Sequence, residues 1–302
     1  MKTLKLNTPV EFPQSRIKIS CSDKIMILGS CFADNIGGRL LHRQFDVCLN
    51  PFGTLYNPSS IADAIERLDS GTHFTKEDCV QIGSGSTKWG SFHHHTLAAR
   101  ETPEDFLRDA NAALDNAAAF WRECNKVIIT LGTSWCFRHA GGFIVANCLK
   151  RDAKEFRREF IPASETADTL RKIIERHEDK EFIFTVSPIR HFKDGAHGNQ
   201  LSKASLLLGI DGAIGACEPA SDGTASSGNR SPRCEYFPAY EIMLDELRDY
   251  RFYAEDMLHP SDQAANYIFS RFISWALPAN EMAEFELRDR DFRQSQHISR
   301  GM

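Results

Sequence analysis

The chain has 302 residues, 42% of them hydrophobic and 25% charged, which is enough apolar material for one large packed domain and too much for a disordered polymer. A formal net charge of −5 at pH 7 gives no broad positive field to hold a phosphate backbone, so nucleic acid is not an expected partner. Residues 1–16 lack the basic start and apolar core of a secretory signal, and no later run of about 18 apolar residues could cross a bilayer, so the expectation is a cytoplasmic protein with no membrane attachment.

In chain order, residues 24–28 (KIMIL) form a short apolar run that ends at Gly29-Ser30, after which Phe32, Ile36, Leu40 and Leu41 recur at helical spacing. This pattern predicts strand, tight turn, helix. Residues 47–49 are a second apolar run, closed by a turn at Gly53. Ser59 and Ser60 are placed to cap a helix through Leu68 that Gly71 would close. Residues 72–96, rich in Gly, Ser and His, read as a loop-rich insertion. After Pro103, the residues Phe106, Ala110, Ala113, Leu114, Ala117, Phe120 and Trp121 make one face of a long helix. The run 126–131 (KVIITL) stops at Gly132; Leu170, Ile173 and Ile174 mark another helix; and 181–186 (EFIFTV) stops at Ser187-Pro188. Residues 218–232, rich in Gly, Ser, Pro and Ala, read as a flexible loop. A helix is expected over 238–250, and Pro260-Ser261 opens a last core helix with Tyr267, Ile268 and Phe272. Residues 279–302 are charged and are expected as a frayed tail outside a single domain of residues 1–278.

Apolar, β-branched runs of this length suit strands covered on both faces, and their alternation with helices predicts a three-layer α/β/α sandwich around a mainly parallel sheet. Chemistry in such folds collects beyond the carboxyl ends of the strands. Ser30, the Gly132 turn and the Ser187 turn all fall there.

Ser30 follows a buried strand and begins a helix, where its hydroxyl can face an incoming carbonyl beside backbone N–H groups or can simply cap the helix. Cys31 is a second candidate nucleophile, or a small buried hydrophobe. In Asp256-Met257-Leu258-His259 a carboxylate precedes an imidazole by three residues, a spacing that lets Asp256 accept the Nδ1 proton and frees Nε2 to act as a base; the alternative is a cap for the following helix. Gly53 offers either a backbone N–H at close approach or only a turn. Thr133 and Ser134 offer hydroxyls that could donate to an oxyanion or cap the next segment. Arg190 and His191 follow a strand end and are candidates to bind an anionic or carbonyl group, while His197 and Asn199 sit in a glycine-flanked turn (DGAHGNQ). His93, His94 and His95 would splay alternately and do not suit one metal ion. Nine cysteines, Cys217 among them, are scattered without a Cys-x-x-Cys pair, which fits a reduced compartment; no metal and no other cofactor is expected.

Residues 27–33 (ILGSCFA) carry the GSCFA signature, and residues 50–54 (NPFGT), 131–135 (LGTSW), 186–204 (VSPIRHFKDGAHGNQLSKA) and 236–260 also resemble the GSCFA family. That family resembles the SGNH (GDSL-like) hydrolases. The resemblance implies a flavodoxin-like sheet, Ser30 as nucleophile, Gly53 as oxyanion glycine, and Asp256 with His259 as the acid–base pair. Two departures stand out: Gly132-Thr133-Ser134 replaces the usual Gly-x-Asn, and Gly29 replaces the common Asp before the nucleophile. The function implied is a serine-dependent ester hydrolase acting through an acyl-enzyme on a small acylated molecule such as a sugar ester. The alternatives are an O-acyltransferase using the same triad and a non-catalytic ligand-binding protein on a hydrolase scaffold.

Overall fold

Strand β1 (Lys24–Gly29) passes through one residue into helix α1 (Cys31–Leu41) and on to β2 (Asp46–Leu49) in the computed structural model, which describes residues 8–215 and 234–299. Helix α2 (Pro58–Ser70) leads into an excursion carrying the short strands β3 (Val80–Gln81) and β4 (Trp89–Gly90), and α3 (Pro103–Glu123) then delivers the chain to β5 (Lys126–Leu131). A second excursion, β6 (Trp135–His139), β7 (Ile144–Val145) and β8 (Phe156–Phe160), precedes α4 (Ala163–Arg176) and β9 (Glu181–Val186). The remaining elements are α5 (Gly195–Gly215), β10 (Cys234–Tyr236), the short α6 (Ala239–Glu241), α7 (Asp262–Ala276) and α8 (Met282–Ser299). Cys217 and the expected loop at 218–232 lie outside the described residues.

The central sheet has five parallel strands in the order β10-β9-β5-β1-β2. The expected three-layer architecture is therefore the one observed. Along β5 and β9 the side chains alternate between two apolar layers. Val127, Ile129, Leu131, Phe182 and Phe184 join the core shared with α2, α3, α4 and α5, whereas Ile128 and Ile183 join Ile25, Ile27, α1 and α7. The chain leaves β1 to one side for β2 and returns on the other side for β5. The crevice at the carboxyl ends of β1 and β5 is thus the topological switch point, where doubly wound sheets leave room for a ligand.

Several boundaries differ from expectation for local reasons. Helix α2 is capped by Asn57, whose Oδ1 accepts from Ser60 N at 2.9 Å, with Pro58 in its first turn; the helix starts earlier than Ser59 because asparagine followed by proline is the stronger start signal. Gly71, at φ +61°, closes it as expected. The DGAHGNQ stretch is not a turn but the first part of α5, since Asn199, Ser202 and Lys203 are buried along one side. The expected 238–250 helix is α6 followed by a π-helical segment, Ile242–Leu247. Residues 282–299 are helical rather than frayed: Arg43 Nε donates to Asp289 at 2.7 Å, its guanidinium lies 5.7 Å over Phe285, and Arg288 donates to Gln44 O at 3.0 Å.

The segment ahead of β1 runs along the end of α7, with Ser15 N donating to Trp275 O, Ile19 N to Ala276 O, and Trp275 Nε1 to Pro13 O at 2.9 Å. The two excursions share a small core of Ile82, Phe92, Val145 and Leu149, which anchors the 72–96 insertion. Among the described residues no helix is long and apolar enough to cross a membrane.

Candidate functional site

The turn after β1 is shaped by Gly29. At φ +144° a Cβ there would lie 2.2 Å from Thr130 O, so only glycine fits. Asn50 locks the turn from the neighbouring strand: its Oδ1 accepts from Gly29 N at 2.8 Å while its Nδ2 donates to Asp34 at 2.6 Å. Ser30 is extended and caps α1, with Oγ accepting from Phe32 N at 3.3 Å. Its own N–H donates to Thr130 O at 3.1 Å. The residue is 0% exposed, and Gly132 lies between it and Tyr56. Cys31, by contrast, is half-buried, and its Sγ lies 3.4 Å from Tyr56 Oη, which also accepts from Thr54 Oγ1 at 3.1 Å. Burial, reinforced by Cys31, pushes the Tyr56 hydroxyl up to about 12, so it stays protonated at neutral pH.

The second component comes from the other end of the chain. Asp256 Oδ2 accepts from His259 Nδ1 at 2.5 Å, and its Oδ1 accepts the N–H groups of Leu258 and His259 at 2.9 and 3.0 Å. These bonds to the backbone and then to the ring hold the Asp256 carboxyl down at about 2. The loop is closed on itself by Met257 N to Ala254 O and Ala254 N to His259 O, and Met257 takes φ +58° to make the bend. Arg190 fixes the loop to the segment after β9: its N–H donates to Leu258 O at 3.0 Å and its Nη1 to Met257 O at 3.1 Å, while the guanidinium lies 4.1 Å over Phe192 and 5.1 Å over Tyr253. Arg190 thus braces the loop carrying Asp256 and His259.

Between the two components stands His191. Its ring is 6.2 Å from Tyr56, its N–H donates to Asn199 Oδ1 at 2.9 Å, and its Nε2 is buried without a hydrogen-bond partner. Burial, with Lys203 and His259 adding repulsion, lowers its pKa to about 3, so the ring is neutral. The structure therefore brings the β1 turn, Tyr56, His191 and the Asp256–His259 pair to one edge of the sheet. No hydrogen bond joins Ser30 to His259: the hydroxyl is engaged as a cap and the imidazole with Asp256 alone.

Three expected oxyanion donors are already engaged. Gly53 N donates to Asn50 O at 2.7 Å, and the glycine is required because His95 Cβ would lie 2.4 Å from a Cβ at that position. Thr133 Oγ1 bonds Ser202 Oγ at 3.0 Å and accepts from Trp135 N, and Ser134 Oγ donates to Ser202 O at 3.0 Å. In the histidine triplet, His93 bonds Asp63 at 2.6 Å and His95 Nδ1 accepts from Leu97 N at 3.3 Å. His94, 2% exposed, sits edge-on to Phe52, Phe74 and Phe106, and burial lowers its pKa to about 3. Among the described residues no three His, Cys, Asp or Glu side chains converge as metal ligands.

The model of the GSCFA family matches residues 24–272, from the first residue of β1 into α7. The chain belongs to the GSCFA family. No curated protein and no solved structure matches it significantly. In this GSCFA protein the matched span takes in both the β1 turn and the Asp256–His259 pair. It also contains a residue that reading the sequence passed over. Lys203 is 1% exposed, and its Nζ donates to Gly132 O at 2.6 Å and Ser187 O at 2.8 Å, the first carbonyls beyond β5 and β9. A signal was present: Lys203 lies in the same stripe as Leu206, Ile210 and Ala213, all buried, so a charge stands where the helical pattern calls for an apolar side chain.

Proposed function

We propose that this GSCFA protein catalyses acyl transfer on a small ester, with Asp256 and His259 as the acid–base pair and the β1 turn as the source of the nucleophile. The observation that carries the reading is the 2.5 Å bond from His259 Nδ1 to Asp256, which fixes the ring with Nε2 free on the edge where β1 ends. Ser30 is the leading nucleophile. As Oγ bonds to the carbonyl carbon its proton passes to His259 Nε2, and the carbonyl π pair moves onto oxygen. Collapse of that oxyanion expels the alcohol, which takes the proton back from Nε2. Water deprotonated at the same nitrogen then releases the acid; a bound acceptor alcohol in its place would make the protein an O-acyltransferase.

A second reading is favoured by one contrast: Ser30 is fully enclosed, whereas the neighbouring Cys31 is only partly buried at the first position of α1. Under this reading Cys31 Sγ attacks, with the same transfers through His259 and a thioester intermediate. The experiment is labelling by a fluorophosphonate and, separately, by iodoacetamide, with mass spectrometry of the peptide that contains residues 30 and 31. We expect modification that disappears in His259→Ala and in either Ser30→Ala or Cys31→Ala. Failure of the wild type to react with both reagents would favour the ligand-binding alternative over the enzyme.

A further inference from the structure

Acyl transfer as described leaves a buried charge unused. Among the described residues no carboxylate lies within ion-pair distance of Lys203; its neighbours are the Gly132 and Ser187 carbonyls and the Tyr240 ring, 5.7 Å away. Burying an ammonium without a counter-ion is strongly disfavoured, so a fold that keeps one beside a cleft marks a candidate functional group. Burial alone draws Lys203 down to about 7.

The two carbonyls that it holds are not equivalent bystanders. Gly132 packs on Ser30, a Cβ there lying 3.3 Å from that of the serine. Ser187 opens the segment that carries Arg190, the brace of the His259 loop, and His191. Asn199 and Ser202, one turn or less before Lys203 on α5, grip the same two segments: Asn199 through His191 N, and Ser202 through Ser134 N at 2.8 Å. The groups facing His191 are Lys203 from α5, His259 from the loop before α7 and the Tyr56 ring from the loop before α2, with Arg190 next to it in sequence turned toward Phe192 and Tyr253. Lys203 and His259 both oppose a proton on His191, whose unpartnered Nε2 is left as a neutral group.

We propose that Lys203 is a positioning residue for acyl transfer: its buried side-chain nitrogen ties the ends of β5 and β9 together behind the β1 turn and so sets the segment that carries His191 and the brace of the His259 loop. The assignment rests on the acyl-transfer reading.

The test compares wild type with Lys203→Met and Lys203→Gln by two measurements: the rate of fluorophosphonate or iodoacetamide labelling at the β1 turn, and the NMR titration of the His191 ring. Lys203→Gln retains N–H donors for the carbonyls without the charge, so it serves if the methionine variant does not fold. Loss of a direct oxyanion donor costs about 10²–10³-fold, and the loss expected for a charge acting through another group is about tenfold. The His191 titration should move upward in both variants, a change that a merely structural role would not produce. Labelling at the wild-type rate with an unmoved His191 titration would overturn the Lys203 assignment and leave acyl transfer standing. An unreactive wild type would remove acyl transfer itself, and this assignment with it.

Discussion

Replacing Asp256 by asparagine separates orientation from charge at the candidate site. The two backbone bonds to Oδ1 survive in the amide, so the loop keeps its bend. What changes is the partner of His259 Nδ1. An amide nitrogen turned toward the ring donates, which places the ring proton on Nε2 and removes the lone pair that would accept a proton from Ser30 or Cys31. In the serine-protease triad the same substitution lowers kcat about 10⁴-fold, equivalent to about 5 kcal/mol of transition-state stabilisation at about 1.4 kcal/mol per decade. A loss of that order is expected in the rate of labelling at the β1 turn, with little change in Tm because both side chains are exposed to solvent. The pH dependence follows from the depressed carboxyl. The folded pKa of Asp256 is about 2 against the usual 3.8, so its favourable bonds are fully present above the usual value and are lost only as pH falls through about 2. Any loss of reactivity between pH 7 and pH 5 must then come from another group. If Asp256→Asn is labelled at the wild-type rate, the imidazole is not acting as the base and the mechanism fails.

Three other substitutions probe the frame around the site. Gly29→Ala drives a Cβ against Thr130 O at a positive φ, and urea denaturation should show a loss of about 3 kcal/mol or more; a loss under about 1 kcal/mol would mean that the turn is not as rigid as described. His94→Phe replaces a buried ring whose two nitrogens have no partner. The folded pKa near 3 lies below the usual 6.5, so the unfolded chain gains a proton first and stability falls as pH drops below 6.5. The wild type should lose about 2 kcal/mol between pH 7 and pH 5 from this residue, and the phenylalanine variant should show a flatter stability curve by that amount. Ser202→Ala removes the acceptor of Ser134 N and the partner of Thr133 Oγ1; chemical denaturation should report a loss of about 1–3 kcal/mol.

Sheet and helices were legible because their signals are local. The runs KIMIL, KVIITL and EFIFTV are too apolar for any place but a covered sheet, and Pro103, Ser261 and Gly71 mark helix ends by their own side chains or lack of one. Errors arose where a distant partner decides. The 282–299 stretch is polar enough to look frayed, and only Arg43 and Gln44, far away in sequence, make it a docked helix. Gly195 and Gly198 suggest a turn, yet three buried polar residues on one face of α5 override that preference. The same limit applies at the site. Residue types identified Asp256 with His259 and the serine at the strand end, but whether a hydroxyl or amide is already engaged depends on neighbours that spacing does not reveal. The hydrogen bonds that Gly53, Thr133 and Ser134 make, and the burial of Lys203, are of that kind.

The arrangement of the strands also governs when the proposed site can be assembled. The β1 turn is made early in synthesis, while Asp256 and His259 emerge late, and the loop that holds them is braced through Arg190 and followed by α7, against whose far end residues 13–19 are pinned. Contacts so distant in sequence form late in folding. Under the proposed acyl transfer, a nascent polypeptide would carry Ser30 and Cys31 before the proposed base, and a chain truncated ahead of Asp256 would lack that base however well its earlier strands had assembled.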